Sequence, residues 1–215
     1  DGKPYVEGVK AILNIAKQFD DLEFVDLGGG FGIPYEKLND QPRLDMVELG
    51  KQLDEVFEQF VKDYGKEITF KIEPGRYVSA ECGVLLGTVT AVKHNGEDKY
   101  IGTDIGFNVL QRPVMYDSHH DIEVYNDSDN TEDVTVVGNI CESGDILAKH
   151  RICPEMHVGD TMAMLDAGAY GYCMASNYNN RLRPAEVLIR ENGEAVLVRE
   201  RDELEDLTRH MKSIK

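Results

Sequence analysis

Tryptophan is absent from this chain of 215 residues, and its four cysteines include no CxxC pair. Structural zinc sites and dithiol redox sites need closely spaced cysteines, so the sequence predicts neither. Cys82, Cys141, Cys153 and Cys173 lie far apart instead. Widely spaced thiols without a pairing pattern are typical of reduced proteins, which favours a cytoplasmic location.

Basic residues are scarce as well, since 23 Lys and Arg stand against 40 Asp and Glu, a net charge of −17 at pH 7. This charge repels phosphate backbones and anionic lipid, so nucleic acid and membrane are poor candidate partners. The best apolar run, residues 82–92, is interrupted by Gly and Thr. It is shorter than the ~18 residues that a membrane span needs. No signal peptide is recognisable. The composition, 41% hydrophobic and 29% charged, is that of a globular protein.

The first third of the chain alternates between helical and strand patterns. Apolar residues recur every three or four positions over residues 4–19 and again over 46–64, which predicts two amphipathic helices. Gly65 supplies a stop signal for the second. Residues 22–27 and 68–72 read as short strands that follow the helices. This alternation is typical of a parallel sheet or barrel wall, which two strands cannot form alone.

Beyond Gly75 the pattern changes to short β-rich runs that are separated by turn residues. The predicted strands are residues 84–92, 100–103, 122–125, 134–137, 161–165, 186–190 and 195–199. Such spacing without helices between the strands indicates an antiparallel β domain. The polar stretch 126–133 is interpreted as a hairpin tip or a mobile loop. Leu204, Leu207 and Met211 have helical spacing and predict a docked terminal helix.

Two glycine-containing turns follow the predicted strands of the first third. Gly28, Gly29 and Gly30 could present backbone amides to an anion such as phosphate, although a tight turn without a ligand is the alternative. The loop is not a dinucleotide fingerprint, because Ile33 occupies the position of its third glycine. Glu73 and Arg76 flank a Pro-Gly turn and could serve one ligand; an exposed ion pair is about equally compatible.

Three segments of the β-rich part also carry reactive groups. Arg112 and Tyr116 are four residues apart and could grip a carboxylate from one helical turn, although an ordinary surface contact is the commoner outcome. The adjacent histidines after them lack the partners of a metal site. Cys141 and Glu142 lie in a polar turn. A small-residue turn exposes Tyr170, unless it is only a close-packed bend.

Taken in order, these segments resemble the C-terminal half of the diaminopimelate decarboxylase family, fold-type III enzymes that depend on pyridoxal 5'-phosphate. Residues 166–171 (DAGAYG), 174–179 (MASNYN) and 183–186 (RPAE) carry the resemblance most specifically. Ornithine and arginine decarboxylases and alanine racemase belong to the same group. The resemblance runs from the first helix to about residue 188.

The resemblance implies a role for each matching residue. The cofactor-binding set would be Gly28, Gly29, Gly30, Glu73, Gly75, Arg76 and Tyr170. Glu73 would face the pyridine nitrogen and keep it protonated. The substrate-binding set would be Arg76, Arg112, Tyr116, Glu142 and Tyr170, with Glu142 at the distal amino group.

Cys141 would be the catalytic proton donor, and its segment would reach into the partner subunit's site, so the resemblance implies a homodimer with shared active sites. No metal is implied.

The fold implied is α+β: the terminal portion of a (β/α)8 barrel in residues 1–77, followed by an antiparallel β domain with a terminal helix in 78–215. The family's cofactor-binding lysine precedes the glycine loop, so we expect a C-terminal fragment that is inactive alone. The implied reaction is conversion of meso-diaminopimelate to L-lysine. Decarboxylation of carboxynorspermidine, ornithine or arginine, or a non-catalytic dimerisation module, remain the alternatives.

Overall fold

A computed structural model describes residues 2–213 and divides the chain into two compact units between Glu81 and Cys82. The sequence pattern predicts this boundary between residues 77 and 78, four residues earlier. Each unit has its own hydrophobic core.

The first unit is built from two long helices and a pair of short strands. Its elements are α1 (Lys3–Ala16), β1 (Phe24–Asp26), α2 (Met46–Tyr64), β2 (Thr69–Lys71) and α3 (Gly75–Ser79). Helix α2 begins where the Asp45 carboxylate accepts hydrogen bonds from two backbone amides. It ends at Gly65, whose φ of 81° is accessible to glycine at little cost. The stop signal in the sequence is thereby confirmed.

Strands β1 and β2 pair in parallel, with Val25 opposite Phe70. Each is shorter than the apolar run that predicted it. Phe19, which the sequence placed in the first helix, follows its end and is 57% exposed. The unit's core lies where the apolar stripes of α1 and α2 pack with β1.

The second unit contains a six-stranded sheet, a separate hairpin and two short helices. Its elements are β3 (Leu85–Asn95), β4 (Asp98–Thr103), α4 (Arg112–Tyr116), β5 (Ile122–Tyr125), β6 (Thr131–Val137), β7 (Ile146–Pro154), β8 (Thr161–Met164), β9 (Glu186–Ile189), β10 (Ala195–Arg199) and α5 (Leu204–Thr208). The strand order in the large sheet is β5-β8-β3-β4-β6-β7. Its core is formed by buried aliphatic and methionine side chains from these strands.

The sheet is mixed rather than wholly antiparallel, which corrects the sequence prediction. Strands β4 and β6 run parallel, with Ile101 opposite Val136, while every other pair in the sheet is antiparallel. Parallel neighbours need a long crossover. Here the crossover contains α4 and β5, and β5 joins the opposite edge of the sheet.

Strand β7 was not predicted, because Lys149, His150 and Arg151 interrupt its apolar pattern. Part of the stretch 126–133 was also misassigned, since its last three residues begin β6. Nη1 of Arg151 lies 2.7 Å from Nε2 of His119 and donates a hydrogen bond to the His120 carbonyl oxygen, just before β5. The two edge strands of the sheet thus approach each other, and the sheet curls towards a barrel.

The C-terminal segment is anchored differently from the prediction. Helix α5 has only five residues, and Leu204 and Met211 are 69% and 74% exposed, so these side chains do not dock it. The buried carboxylate of Asp202 instead accepts hydrogen bonds from Arg183 and Asn177. No helix within residues 2–213 is long and apolar enough to cross a membrane.

Candidate active site residues in the two units

The glycine loop of the first unit lies where β1 and β2 end side by side. The amide of Glu73 donates to the Gly28 carbonyl oxygen at 2.8 Å, which continues the pairing of the strands past their ends. A Cβ atom on Gly29 would lie 2.5 Å from the carbonyl oxygen of Glu73. Only glycine fits there without separating the two chain segments. The structure therefore brings two of the predicted site segments together.

Two residues of the loop have a backbone conformation that favours glycine. Gly28 and Gly30 have φ values of 66° and 102°, which glycine adopts most readily. The Gly28 amide donates to the Asp26 carboxylate. Within the described part of the chain, no protein atom accepts a hydrogen bond from the amides of Gly29 and Gly30. Such amides at the end of parallel strands fit a phosphate group.

The Glu73–Arg76 turn places its two charged side chains differently. Glu73 is exposed, and Gly75 begins helix α3. Arg76 is half-buried, and its guanidinium carbon lies 5.9 Å from the centre of the Tyr35 ring. Stacking on an aromatic ring orients a guanidinium while leaving donors for an anion.

In the second unit Arg112 is buried, with 4% of its surface exposed. Its Nη1 atom lies 3.0 Å from Nε2 of His120, whose Nδ1 lies 2.6 Å from the carbonyl oxygen of Leu165. Burial foremost, together with the nearby Arg112 charge, lowers the pKa of His120 to about 4, although the hydrogen bond to the Leu165 carbonyl oxygen acts in the opposite direction. The adjacent histidine is hydrogen-bonded to Asp121, and no cluster within residues 2–213 could hold a metal ion.

Helix α4 is the single turn that the spacing of Arg112 and Tyr116 indicated. Arg112 at the start of the helix is buried, whereas Tyr116 at its end is 63% exposed. The helix lies beside the loop that carries Glu142: a Cβ atom on Gly144 would meet Glu142 Oε1 at 3.8 Å and Val114 Cγ1 at 3.9 Å. Three of the predicted substrate-binding residues thus belong to neighbouring elements.

The Cys141–Glu142 loop is organised by a buried carboxylate. Asp145 accepts hydrogen bonds from the amides of Ile140 and Phe107 at 2.8 and 2.7 Å. It nearly fills the space above Gly138, where a Cβ atom would lie 2.2 Å from Asp145 Oδ2. Cys141 and Glu142 are exposed at the outer end of this hydrogen-bonded loop.

Glu142 is held in its ionised form. The amide of Gly144 donates to Glu142 Oε1 at 3.2 Å, and the Tyr178 hydroxyl donates to Oε2 at 3.2 Å. These bonds, the Gly144 bond foremost, lower the pKa of Glu142. An anchored carboxylate next to an exposed thiol can bind a cationic group.

Sequence reasoning missed Tyr178 as a site residue, although it recognised the segment 174–179. The phenol approaches Glu142 from 36 residues away, and its ring packs at 5.5 Å from that of Phe107. No local spacing signals this contact. The roles of Asp145 and His120 were missed for the same reason.

Tyr170 lies in a compact turn. Its φ of 60° is unusual for a residue with a side chain, and Asp166 has a similar value of 57°. A Cβ atom on Gly171 would lie 2.3 Å from the Ala167 carbonyl oxygen. The tight bend presents the Tyr170 side chain, 42% exposed, at the surface of the second unit.

Comparison with known proteins gives a consistent result. The chain is 40% identical to diaminopimelate decarboxylase of Methanothermobacter thermautotrophicus, over 97% of this chain and 50% of the relative. It is 42% identical to the enzyme of that name from Archaeoglobus fulgidus, over 88% of the chain and 46% of the relative. The chain thus spans about half the length of these relatives.

Solved structures agree with this similarity. A crystal structure of diaminopimelate decarboxylase from M. jannaschii superposes with a TM-score of 0.87 at 33% identity, over 100% of this chain and 49% of that one. The Helicobacter pylori enzyme complexed with L-lysine gives a TM-score of 0.83 at 33% identity, over 97% and 50%.

The family model described as pyridoxal-dependent decarboxylase, C-terminal sheet domain, matches residues 35–168. That match covers more than half of the chain. It contains the Glu73–Arg76 turn, helix α4 with Arg112, and the loop that carries Cys141 and Glu142. The chain belongs to the family of pyridoxal-dependent decarboxylases.

Proposed function

We propose that this chain is the C-terminal part of an enzyme that converts meso-diaminopimelate to L-lysine and CO2 with pyridoxal 5'-phosphate. The observation that carries the proposal is the proximity, within the second unit, of helix α4 to the anchored Glu142 loop. A cationic side chain, a phenol and a fixed carboxylate on neighbouring elements suit a substrate with a charged amino acid group at its distal end.

The first unit would contribute cofactor-binding groups and the last stretch of the family's (β/α)8 barrel. The free amides of Gly29 and Gly30 would bind the phosphate. Glu73 would hold a proton on the pyridine nitrogen, because a carboxylate beside that nitrogen favours its protonated form. Bound there, pyridoxal phosphate supplies an electron sink for the bond that breaks when CO2 leaves. Gly75 has no side chain that would keep the cofactor away from the backbone of the turn. Tyr170 is proposed as a further contact to the phosphate.

The distal end of the substrate would be recognised by opposite charges. Arg112, Tyr116 and Arg76 would bind its carboxylate, and Glu142 would accept hydrogen bonds from its ammonium group. Glu142 suits this role because its two anchoring bonds keep the carboxylate ionised and fixed before the substrate arrives. Preorganised charge binds more tightly than charge that must first be ordered.

Cys141 would donate a proton to the substrate carbon after CO2 has left. Its exposed position allows the thiol to approach another molecule's site. In the proposed homodimer this loop reaches into the partner subunit's site, and helix α4 beside it would lie at the same subunit interface, so each active site needs both chains. A cytoplasmic location and inactivity of residues 1–215 alone also remain predictions.

A substrate panel on the full-length protein tests the proposal. We expect release of CO2 from meso-diaminopimelate, and at least about 100-fold lower kcat/KM with ornithine, arginine or carboxynorspermidine, which lack one of the two distal charges or place it differently. Equal or better use of ornithine would contradict the assigned substrate. Absence of CO2 release from any of them, with pyridoxal phosphate bound, would contradict decarboxylation itself.

A further inference from the structure

His120 has both ring nitrogens committed inside the second unit, with 1% of its surface exposed. The Leu165 carbonyl oxygen can only accept a hydrogen bond, so Nδ1 must carry a proton. The Arg112 guanidinium can only donate, so Nε2 must be unprotonated. The two contacts therefore define a neutral imidazole in a single tautomer.

The charged surroundings of His120 favour the same neutral form. Arg112 approaches from helix α4, and Arg151 reaches from β7 to the His120 carbonyl oxygen at 3.0 Å. His119 lies beside it in the chain and pairs with the buried Asp121. Burial and the two guanidinium charges oppose protonation of the ring. Nε2 is consequently an acceptor at neutral pH.

We infer that His120 is a positioning residue: its Nε2 fixes the direction of the Arg112 guanidinium and thereby the binding of the substrate's distal carboxylate. The inference rests on the proposed function. The opposite nitrogen of the same ring is bound to Leu165, which directly precedes the tight turn that carries Tyr170. One imidazole thus connects helix α4 with that turn. A guanidinium held in one direction loses less entropy when it binds a carboxylate.

Two substitutions in the full-length enzyme test the contacts of the two ring nitrogens of His120 separately. In His120→Asn the short amide can replace Nδ1 but does not reach Arg112, whereas in His120→Gln the longer amide oxygen can replace Nε2. We expect KM for meso-diaminopimelate to rise about 10-fold or more in the Asn variant and to stay within about 3-fold in the Gln variant. The exposed His94 on β3 gives the matched control, His94→Asn.

D-lysine keeps the reacting amino-acid end and the distal amine of meso-diaminopimelate but lacks the distal carboxylate, and it therefore serves as the reporting ligand. Its inhibition constant should change by less than about 3-fold in every variant. If the Asn variant weakens D-lysine and meso-diaminopimelate equally, His120 has only a general structural role and the inference is wrong. The same conclusion follows if the Gln variant is no better than the Asn variant. A wild-type enzyme that does not decarboxylate meso-diaminopimelate contradicts the proposed function instead.

A measurement on the wild-type protein covers the case in which neither variant folds. The ¹⁵N resonances of His120 should report a neutral ring with the proton on Nδ1 at pH 7. A proton on Nε2, or a charged ring, would show that His120 does not accept from Arg112 and would overturn the inference.

Discussion

Buried hydrogen bonds fix individual reactive side chains of the second unit. Asp145 orients the loop that bears Cys141 and Glu142, and His120 contacts Arg112. Cys141 and Glu142 are exposed to a ligand, and the buried Asp145 limits the conformations of the loop that carries them. Each role can be tested by removing one functional group.

Replacing Cys141 with Ala in the full-length enzyme should lower kcat about 10²- to 10⁴-fold with little change in KM, because the thiol acts after the substrate has bound. Steady-state CO2 release measures both constants. Cys173→Ala is the control, since Cys173 is also exposed and has no proposed role. A near-normal kcat for Cys141→Ala would remove the proton-donor assignment.

His120 should also make stability depend on pH. Its pKa is lowered from 6.5 to about 4, so below pH 6.5 the unfolded chain takes up a proton that the folded chain does not. Stability is therefore lost as the pH falls from about 6.5 towards 4. Between pH 7 and pH 5 the wild type should lose about 2 kcal/mol more than His120→Gln, as measured by urea unfolding. Equal losses would show that His120 titrates normally.

At the scale of elements, the ends of β1 and β2 determine whether the glycine loop can form. Gly29→Ala would place a methyl group 2.5 Å from the Glu73 carbonyl oxygen. We expect about 10-fold or greater loss of pyridoxal phosphate affinity, because the loop must move away from its neighbour. Titration of the apo full-length protein with the cofactor, followed by absorbance, gives the affinity.

Gly32→Ala is the matched control in the same loop, because nothing lies within 4 Å of its added methyl group. Its affinity should stay within about 2-fold of the wild type. Equal effects of the two substitutions would mean that the close approach at Gly29 is not what the cofactor requires.

The β9–β10 hairpin is joined to the chain before it through Asp202 rather than through an apolar helix. Asp202→Ala removes the acceptor of Arg183 and Asn177. Amide hydrogen exchange in the hairpin should accelerate about 10-fold, which corresponds to about 1.4 kcal/mol of local stability. Glu200→Ala, an exposed neighbour, should leave exchange unchanged. Unchanged exchange in Asp202→Ala would assign the anchoring to other contacts.

At the scale of the whole molecule, the proposed homodimer predicts complementation between two inactive variants. A subunit with Cys141→Ala keeps Glu73, and a subunit with Glu73→Ala keeps Cys141. If the sites are shared, equal co-expression should restore about one quarter of wild-type activity, because half of the dimers are mixed and each has one intact site. Activity per cofactor-loaded site is the measure. No recovery in a mixture that forms mixed dimers would show that each chain supplies its own cysteine.

Patterns in the amino-acid sequence predicted the two long helices, most of the strands and the family. Helix α2 ends at Gly65, and β5 has the predicted bounds Ile122–Tyr125, because apolar periodicity and turn residues act locally. The ordered motifs around Glu73, Cys141 and Tyr170 were enough to identify the family, since residues that share a function keep their order along the chain.

The parallel pairing of β4 with β6, strand β7 and the contacts of the reactive groups became visible only in the folded chain. Local patterns could not show that Arg112 is buried against His120 or that Tyr178 reaches Glu142. The physical reason is that burial and hydrogen bonding depend on which distant segments pack together. A side chain has the same intrinsic chemistry at any position, and its neighbours in space set its protonation, direction and access.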